Sequence, residues 1–134
     1  MSAAENNSAI IGVGLDLADV ARIRKLMDKY ADTFLARTFA QVEIDYCLSR
    51  ADAPLHFAAR FAAKEAMAKA LGTGFTGDIT LKSFWIENDA MGAPLAKLDA
   101  AARKRADAMG AGDMKVSLTH LKDYAQAIAI LSRK

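Results

Sequence analysis

The chain has 134 residues, 53% of them hydrophobic and 25% charged, the balance of one soluble globular domain with a single core. Its 18 lysines and arginines barely exceed its 16 aspartates and glutamates, which argues against a general nucleic-acid binder. A solitary cysteine, Cys47, leaves no internal disulfide, no spaced Cys/His set suggests zinc, and no segment reads as a secretory leader or membrane span, so a soluble cytoplasmic protein is expected.

Residues 1–7 are small and polar and are expected to be disordered, leaving 8–134 as the domain. A protomer of this size buries only about 65–70% of its unfolded surface, so a large cleft inside one chain would consume core, and a site shared between subunits is expected. Ile10 to Leu17 is a short apolar run holding Gly12 and Gly14. It predicts a buried strand that something approaches closely on its glycine side, with Asp16 at its end. From Asp19 to Tyr30, Val20, Ile23 and Met27 share one side while Arg22, Arg24, Lys25 and Lys29 surround them, the pattern of an aspartate-capped amphipathic helix with a basic exposed arc.

Thr33 to Thr38 and Gln41 to Arg50 predict short helices, broken near Phe39 and again at Asp52-Ala53-Pro54. The longest helix is predicted over Leu55 to Leu71, alanine-rich and stopped by Gly72-Thr73-Gly74. Ile79 to Asn88, the turn Asp89 to Pro94 and a short strand near Leu95 predict a hairpin; Leu98 to Met109 predicts a helix; Met114 to Thr119 and Tyr124 to Leu131 predict a closing strand pair. The order is α+β, a long central helix on a small antiparallel sheet.

Several side chains carry candidate chemistry. Glu65 and Lys69, four apart, share a helix face that Ala58 and Ala62 would leave flat and open to a ligand, although on these two residues alone a solvated ion pair is the better reading. Lys64 interrupts the Phe57, Phe61, Ala68, Leu71 stripe, where it either snorkels outward or meets an anion. Asp16 and Glu65, from separate elements, would suit magnesium, which takes one or two protein carboxylates and fills its octahedron with phosphate oxygens and water. Alternation along Ser117-Leu118-Thr119-His120 sets the two hydroxyls on one side and His120 on the other, at a strand end that can bind phosphate.

Together these segments resemble the holo-[acyl-carrier-protein] synthase family, the small bacterial phosphopantetheinyl transferases, from about Ile10 to Leu131. The resemblance rests on Gly14-Leu15-Asp16 with Arg22-Ile23, on Arg60-Phe61-Ala62-Ala63-Lys64-Glu65-Ala66 with Lys69-Ala70-Leu71-Gly72-Thr73-Gly74, on Gly92-Ala93-Pro94, and on Val116-Ser117-Leu118-Thr119-His120. Asp19, Ala18 and Thr119 depart from the usual glutamate, β-branched residue and serine.

The resemblance implies a 4'-phosphopantetheinyl transferase fold, a homotrimer with active sites at subunit boundaries, and transfer of the 4'-phosphopantetheine arm of coenzyme A to a serine of apo acyl carrier protein in fatty acid biosynthesis. It implies that Asp16 and Glu65 hold Mg2+, that Lys69 meets the pyrophosphate, and that His120 reaches coenzyme A from the adjacent subunit. Arg60, Lys64, Gly72, Ser117 and Thr119 complete the expected coenzyme A contacts, and Arg22 would face the carrier protein. Glu65 and Lys69 are the expected catalytic pair, the serine proton passing to Glu65 or to a metal-bound water that it positions. Two rivals remain at this stage: a small magnesium-dependent phosphohydrolase, and a non-catalytic trimeric module binding acidic partners.

Overall fold

The computed structural model describes residues 7–134; apart from Asn7, the expectation for the N-terminal segment falls outside the described residues. Strand β1 (Ile10–Asp19) leads into helix α1 (Val20–Thr38), α2 (Gln41–Leu48) and the long helix α3 (Ala53–Ala70). A 3-10 turn at Leu81–Ser83 precedes β2 (Phe84–Asn88) and β3 (Pro94–Leu98), followed by α4 (Ala100–Ala108), β4 (Ala111–His120) and β5 (Tyr124–Arg133). Among the described residues no helix is long and apolar enough to cross a membrane.

The strands form two antiparallel sheets rather than one: β1-β5-β4, with β5 central, and the β2-β3 hairpin. Helix α3 lies across the larger sheet, packed mainly on β1 and β5. Alanines make that approach close. Ala58, Ala62 and Ala66 are fully buried, so the flat helix face expected to receive a ligand is instead the seam between α3 and the sheet. The glycine side of β1 faces that seam, since a Cβ on Gly14 would stand 1.7 Å from the Ala66 carbonyl oxygen and one on Gly12 would stand 2.1 Å from that of Ala70.

Local chemistry sets the remaining boundaries. Asp19 caps α1 by accepting from the Ala21 amide at 2.9 Å. The expected interruption between Tyr30 and Thr33 is a kink at Ala31, whose φ of 46° lies in the left-handed region. Strand β2 starts later than the apolar run from Ile79 predicted, because Ser83 Oγ accepts from the Thr80 amide at 2.9 Å and holds the chain in the 3-10 turn. The hairpin closes through Asp89, whose Oδ1 accepts from the amides of Met91 and Ala93.

Candidate active site

Asp16 is not at a strand end but inside β1, opposite Ala127 of β5. Counting in twos along the strand puts it on the side of Gly12, Gly14 and Ala18, toward α3. There it meets Glu65 and Lys69 of α3: Lys69 Nζ lies 3.2 Å from Asp16 Oδ1 and donates to the Leu15 carbonyl at 2.9 Å. Asp16, Asp19, Arg22, Phe61, Glu65 and Lys69 line a cleft of about 340 Å³. The helix-face pairing expected of Glu65 and Lys69 thus acquires a third member from the sheet.

Burial pushes the Glu65 carboxyl above its ordinary range; the Asp16 carboxylate raises it further, while Lys69 and Arg22 oppose the shift. Two carboxylates facing one space fit a hard cation. Among the described residues no group of three or more His, Cys, Asp or Glu forms a closed cage. A two-carboxylate site of this kind suits Mg2+, which leaves most of its coordination to phosphate and water.

Arg60 and His120 lie elsewhere, in a second cleft of about 260 Å³ lined also by Tyr46, Arg50, His56 and Asn88. The Arg60 guanidinium sits 4.2 Å over the Tyr46 ring and donates to Asn88 Oδ1 at 3.1 Å, while its Nε has no hydrogen-bond partner among the described residues. His56 and His120 meet edge to face, ring centroids 5.6 Å apart. Burial holds the His56 imidazole below its ordinary pKa, with Arg60, His120 and Arg50 adding to the shift and Asp52 opposing it. Four cationic or ionisable nitrogenous groups around one space make this cleft receptive to anions.

Ser117 and Thr119 point away from both clefts, onto the outer sheet face beside Leu15, Gln126 and Ile128. Gly72 ends α3 with φ 75° and lines neither cleft.

Lys64 requires a correction. Of the two alternatives it takes the second and meets an anion, but one that belongs to the fold: it is fully buried, with Nζ 2.7 Å from Glu43 Oε1 and a hydrogen bond to the Phe84 carbonyl. Its charge is satisfied inside the fold, so a coenzyme A contact is not available to it. Glu43 is the residue that the pattern concealed, lying between Gln41 and Asp45 on α2. The signal was Lys64 itself, because a lysine inside an apolar stripe demands a buried anion.

The chain matches the family model described as the 4'-phosphopantetheinyl transferase superfamily over residues 12–129. It is 40% identical over 120 residues to the holo-[acyl-carrier-protein] synthase of Syntrophus aciditrophicus (strain SB), covering 90% of this chain and 94% of that protein. The crystal structure of holo-[acyl-carrier-protein] synthase from Neisseria meningitidis superposes with a TM-score of 0.84 at 30% identity, over 92% of this chain and 99% of that one. The Helicobacter pylori enzyme in complex with coenzyme A superposes with a TM-score of 0.79 at 28% identity, over 90% and 99% respectively. With its fold and its sequence in agreement along nearly the whole length, the chain belongs to the 4'-phosphopantetheinyl transferase superfamily.

Proposed function

We propose that this chain transfers the 4'-phosphopantetheine arm of coenzyme A to a serine hydroxyl of apo acyl carrier protein, releasing adenosine 3',5'-bisphosphate. The observation that carries the proposal is the meeting of Asp16, Glu65 and Lys69 in one cleft. Its cytoplasmic location and its place in fatty acid biosynthesis are part of the same reading.

Lys69 supplies a compact positive charge for the pyrophosphate. The carrier serine attacks the β-phosphorus, the bond to the bridging oxygen breaks, and the nucleotide departs with that oxygen. Glu65 takes the serine proton, directly or through a water that it orients. Asp16 and Glu65 would hold a magnesium ion, which supplies charge neutralisation for the reacting phosphates.

Arg60 and His120 contribute to coenzyme A binding from the second cleft. Within one chain they line a different space from Asp16 and Glu65, which supports a site assembled across a subunit boundary. The outer face of the β1-β5-β4 sheet supplies a surface for that assembly: Val13, Leu15 and Leu17 are each more than half exposed on it, an apolar strip of the kind that marks association. We assign this face to a homotrimer and Ser117 and Thr119, which lie on it, to the neighbourhood of a neighbouring subunit's ligand.

Mass spectrometry of apo acyl carrier protein after incubation with this chain, coenzyme A and magnesium should show the added arm. Cleavage of coenzyme A without transfer to carrier would replace this reading with a phosphohydrolase. The shared site has its own test: mixing inactive His120→Ala and Glu65→Ala proteins should restore activity through hybrid sites, and no recovery after verified subunit exchange would confine the site to one chain.

The carrier protein is acidic in this reading and meets the basic arc of α1. Arg24 is partly engaged by Asp52 at 3.3 Å, whereas Arg22 lines the first cleft. Arg22→Ala should raise the KM for carrier protein and flatten its rise with salt, since exposed charges act on encounter within a Debye length of about 8 Å at physiological ionic strength. Parallel salt curves for the variant and the wild type would retire this docking role.

A further inference from the structure

Glu43 and Lys64 form a fully buried ion pair, and such a pair is a poor source of net stability, because apolar residues of similar volume hold a core as well or better. What it supplies is direction. Glu43 Oε1 accepts from the Ala40 amide at 3.0 Å and meets Lys64, its Oε2 accepts from the Ile86 amide at 3.0 Å, and Lys64 donates to the Phe84 carbonyl. One polar node therefore fixes the start of α2, the middle of α3 and both ends of a short stretch of β2.

The same three elements each contribute a side chain to the second cleft. Tyr46 lies three residues beyond Glu43 on α2, Arg60 four residues before Lys64 on α3, and Asn88 two residues beyond Ile86 on β2. Each stands one helical turn, or one strand repeat, from the node and points to the same side as its partner in it. These three side chains are themselves in series, the Tyr46 ring under Arg60 and Arg60 bonded to Asn88. Apolar packing alone would let α2 or β2 slide against α3 by fractions of a side chain. Bonds from one carboxylate to an ammonium and two backbone amides do not.

We infer that Glu43 and Lys64 are positioning residues for coenzyme A binding: the buried node sets the rotation and register that hold Tyr46, Arg60 and Asn88 in the second cleft. This rests on the reading of that cleft as a coenzyme A site.

The test is the double variant Glu43→Leu/Lys64→Met, in which the charges leave together and the volume is kept. It should fold with a Tm somewhat below that of the wild type, because the Ile86 amide and the Phe84 carbonyl lose their buried partners. Its Kd and KM for coenzyme A should rise about tenfold, the scale of a lost supporting shell, with kcat at saturating coenzyme A and KM for carrier protein within about threefold. A purely structural pair would move Tm and leave the split between KM and kcat unchanged. Coenzyme A affinity within about twofold of wild type in the folded double variant, alongside a weakened Arg60→Ala, overturns the inference. Unchanged affinity in Arg60→Ala itself overturns the reading of the cleft, and the inference with it. If the double variant does not fold, Glu43→Gln/Lys64→Met, which keeps the acceptor for the Ile86 amide, is read in the same way.

Discussion

Glu65→Ala is expected to lower the rate of carrier modification by about 10²–10⁴-fold, the range attributed to a positioned proton acceptor, while leaving thermal stability unchanged or slightly improved. The second half follows from electrostatics. Burial and then Asp16 disfavour the Glu65 charge, against the weaker pull of Lys69 and Arg22, so the ionised side chain sits in the cleft at a cost to the folded state. Alanine removes that cost and is the strongest helix former at an interior helical position. A functional residue kept against stability is the ordinary signature of a site. Asp16→Ala should fail similarly, and it also frees Lys69 from its ion pair. The measurements are a thermal melt and transfer to apo carrier protein over a magnesium series; either purified variant retaining more than about a tenth of wild-type activity would remove these carboxylates from the chemistry.

Helix α3 was legible in the sequence because its signals are local: Pro54 can occupy only a first turn, Gly72 supplies the left-handed cap, and nothing between them breaks a helix. The break in α1 was legible for the same reason, although its location at Ala31, a non-glycine residue with positive φ, is set by tertiary packing. The glycine run of β1 correctly announced a close neighbour. Which neighbour it was depended on topology, and the alanines of α3 misled as a ligand platform because small residues suit a docked ligand and a docked strand equally.

The candidate site divided along similar lines. Asp16, Glu65 and Lys69 come together because a strand period and a helix period both bring their charges to the same seam. The second cleft was only partly visible: His56 lies four residues before Arg60 on α3 and shares its face, a neighbour that the periodicity offered and the motif did not mark. Tyr46 and Asn88 arrive from other elements, and no spacing along the chain records a ring beneath a guanidinium. Glu43 was hidden for a stronger reason. In a helix with Gln41 and Asp45 an acidic residue looks solvated, and only the fold discloses that its one buried counter-charge sits 21 positions away.

Gly14→Ala should be the most damaging single methyl in the chain. The added Cβ would fall 1.7 Å from the Ala66 carbonyl oxygen, 2.7 Å from its carbon and 3.0 Å from the Ala70 amide nitrogen. All three are backbone atoms of α3, so no side chain can rotate aside and the helix must withdraw from the strand. Overpacking in cores costs about 1–3 kcal/mol where side chains can yield; with rigid backbone opposite, the upper end or more is expected, a fall in Tm of roughly 10 °C for a domain of this size. The withdrawal also pulls apart the first cleft. Asp16 is two residues along β1 from Gly14 and Glu65 adjoins Ala66, so the movement that relieves the clash widens the distance between the two carboxylates and strains the Lys69 bonds to Asp16 and the Leu15 carbonyl. Whatever fraction of Gly14→Ala remains folded should therefore transfer the arm poorly. Gly74→Ala is the control: its φ of 62° makes alanine strained, but nothing lies within 4 Å of the new methyl, so it should cost only about 1–2 kcal/mol and leave activity in the folded protein intact. Thermal melts and transfer assays on both variants decide the matter, and a Gly14→Ala protein that melts with the wild type and retains its activity would show that α3 does not rest on β1 as tightly as the seam requires.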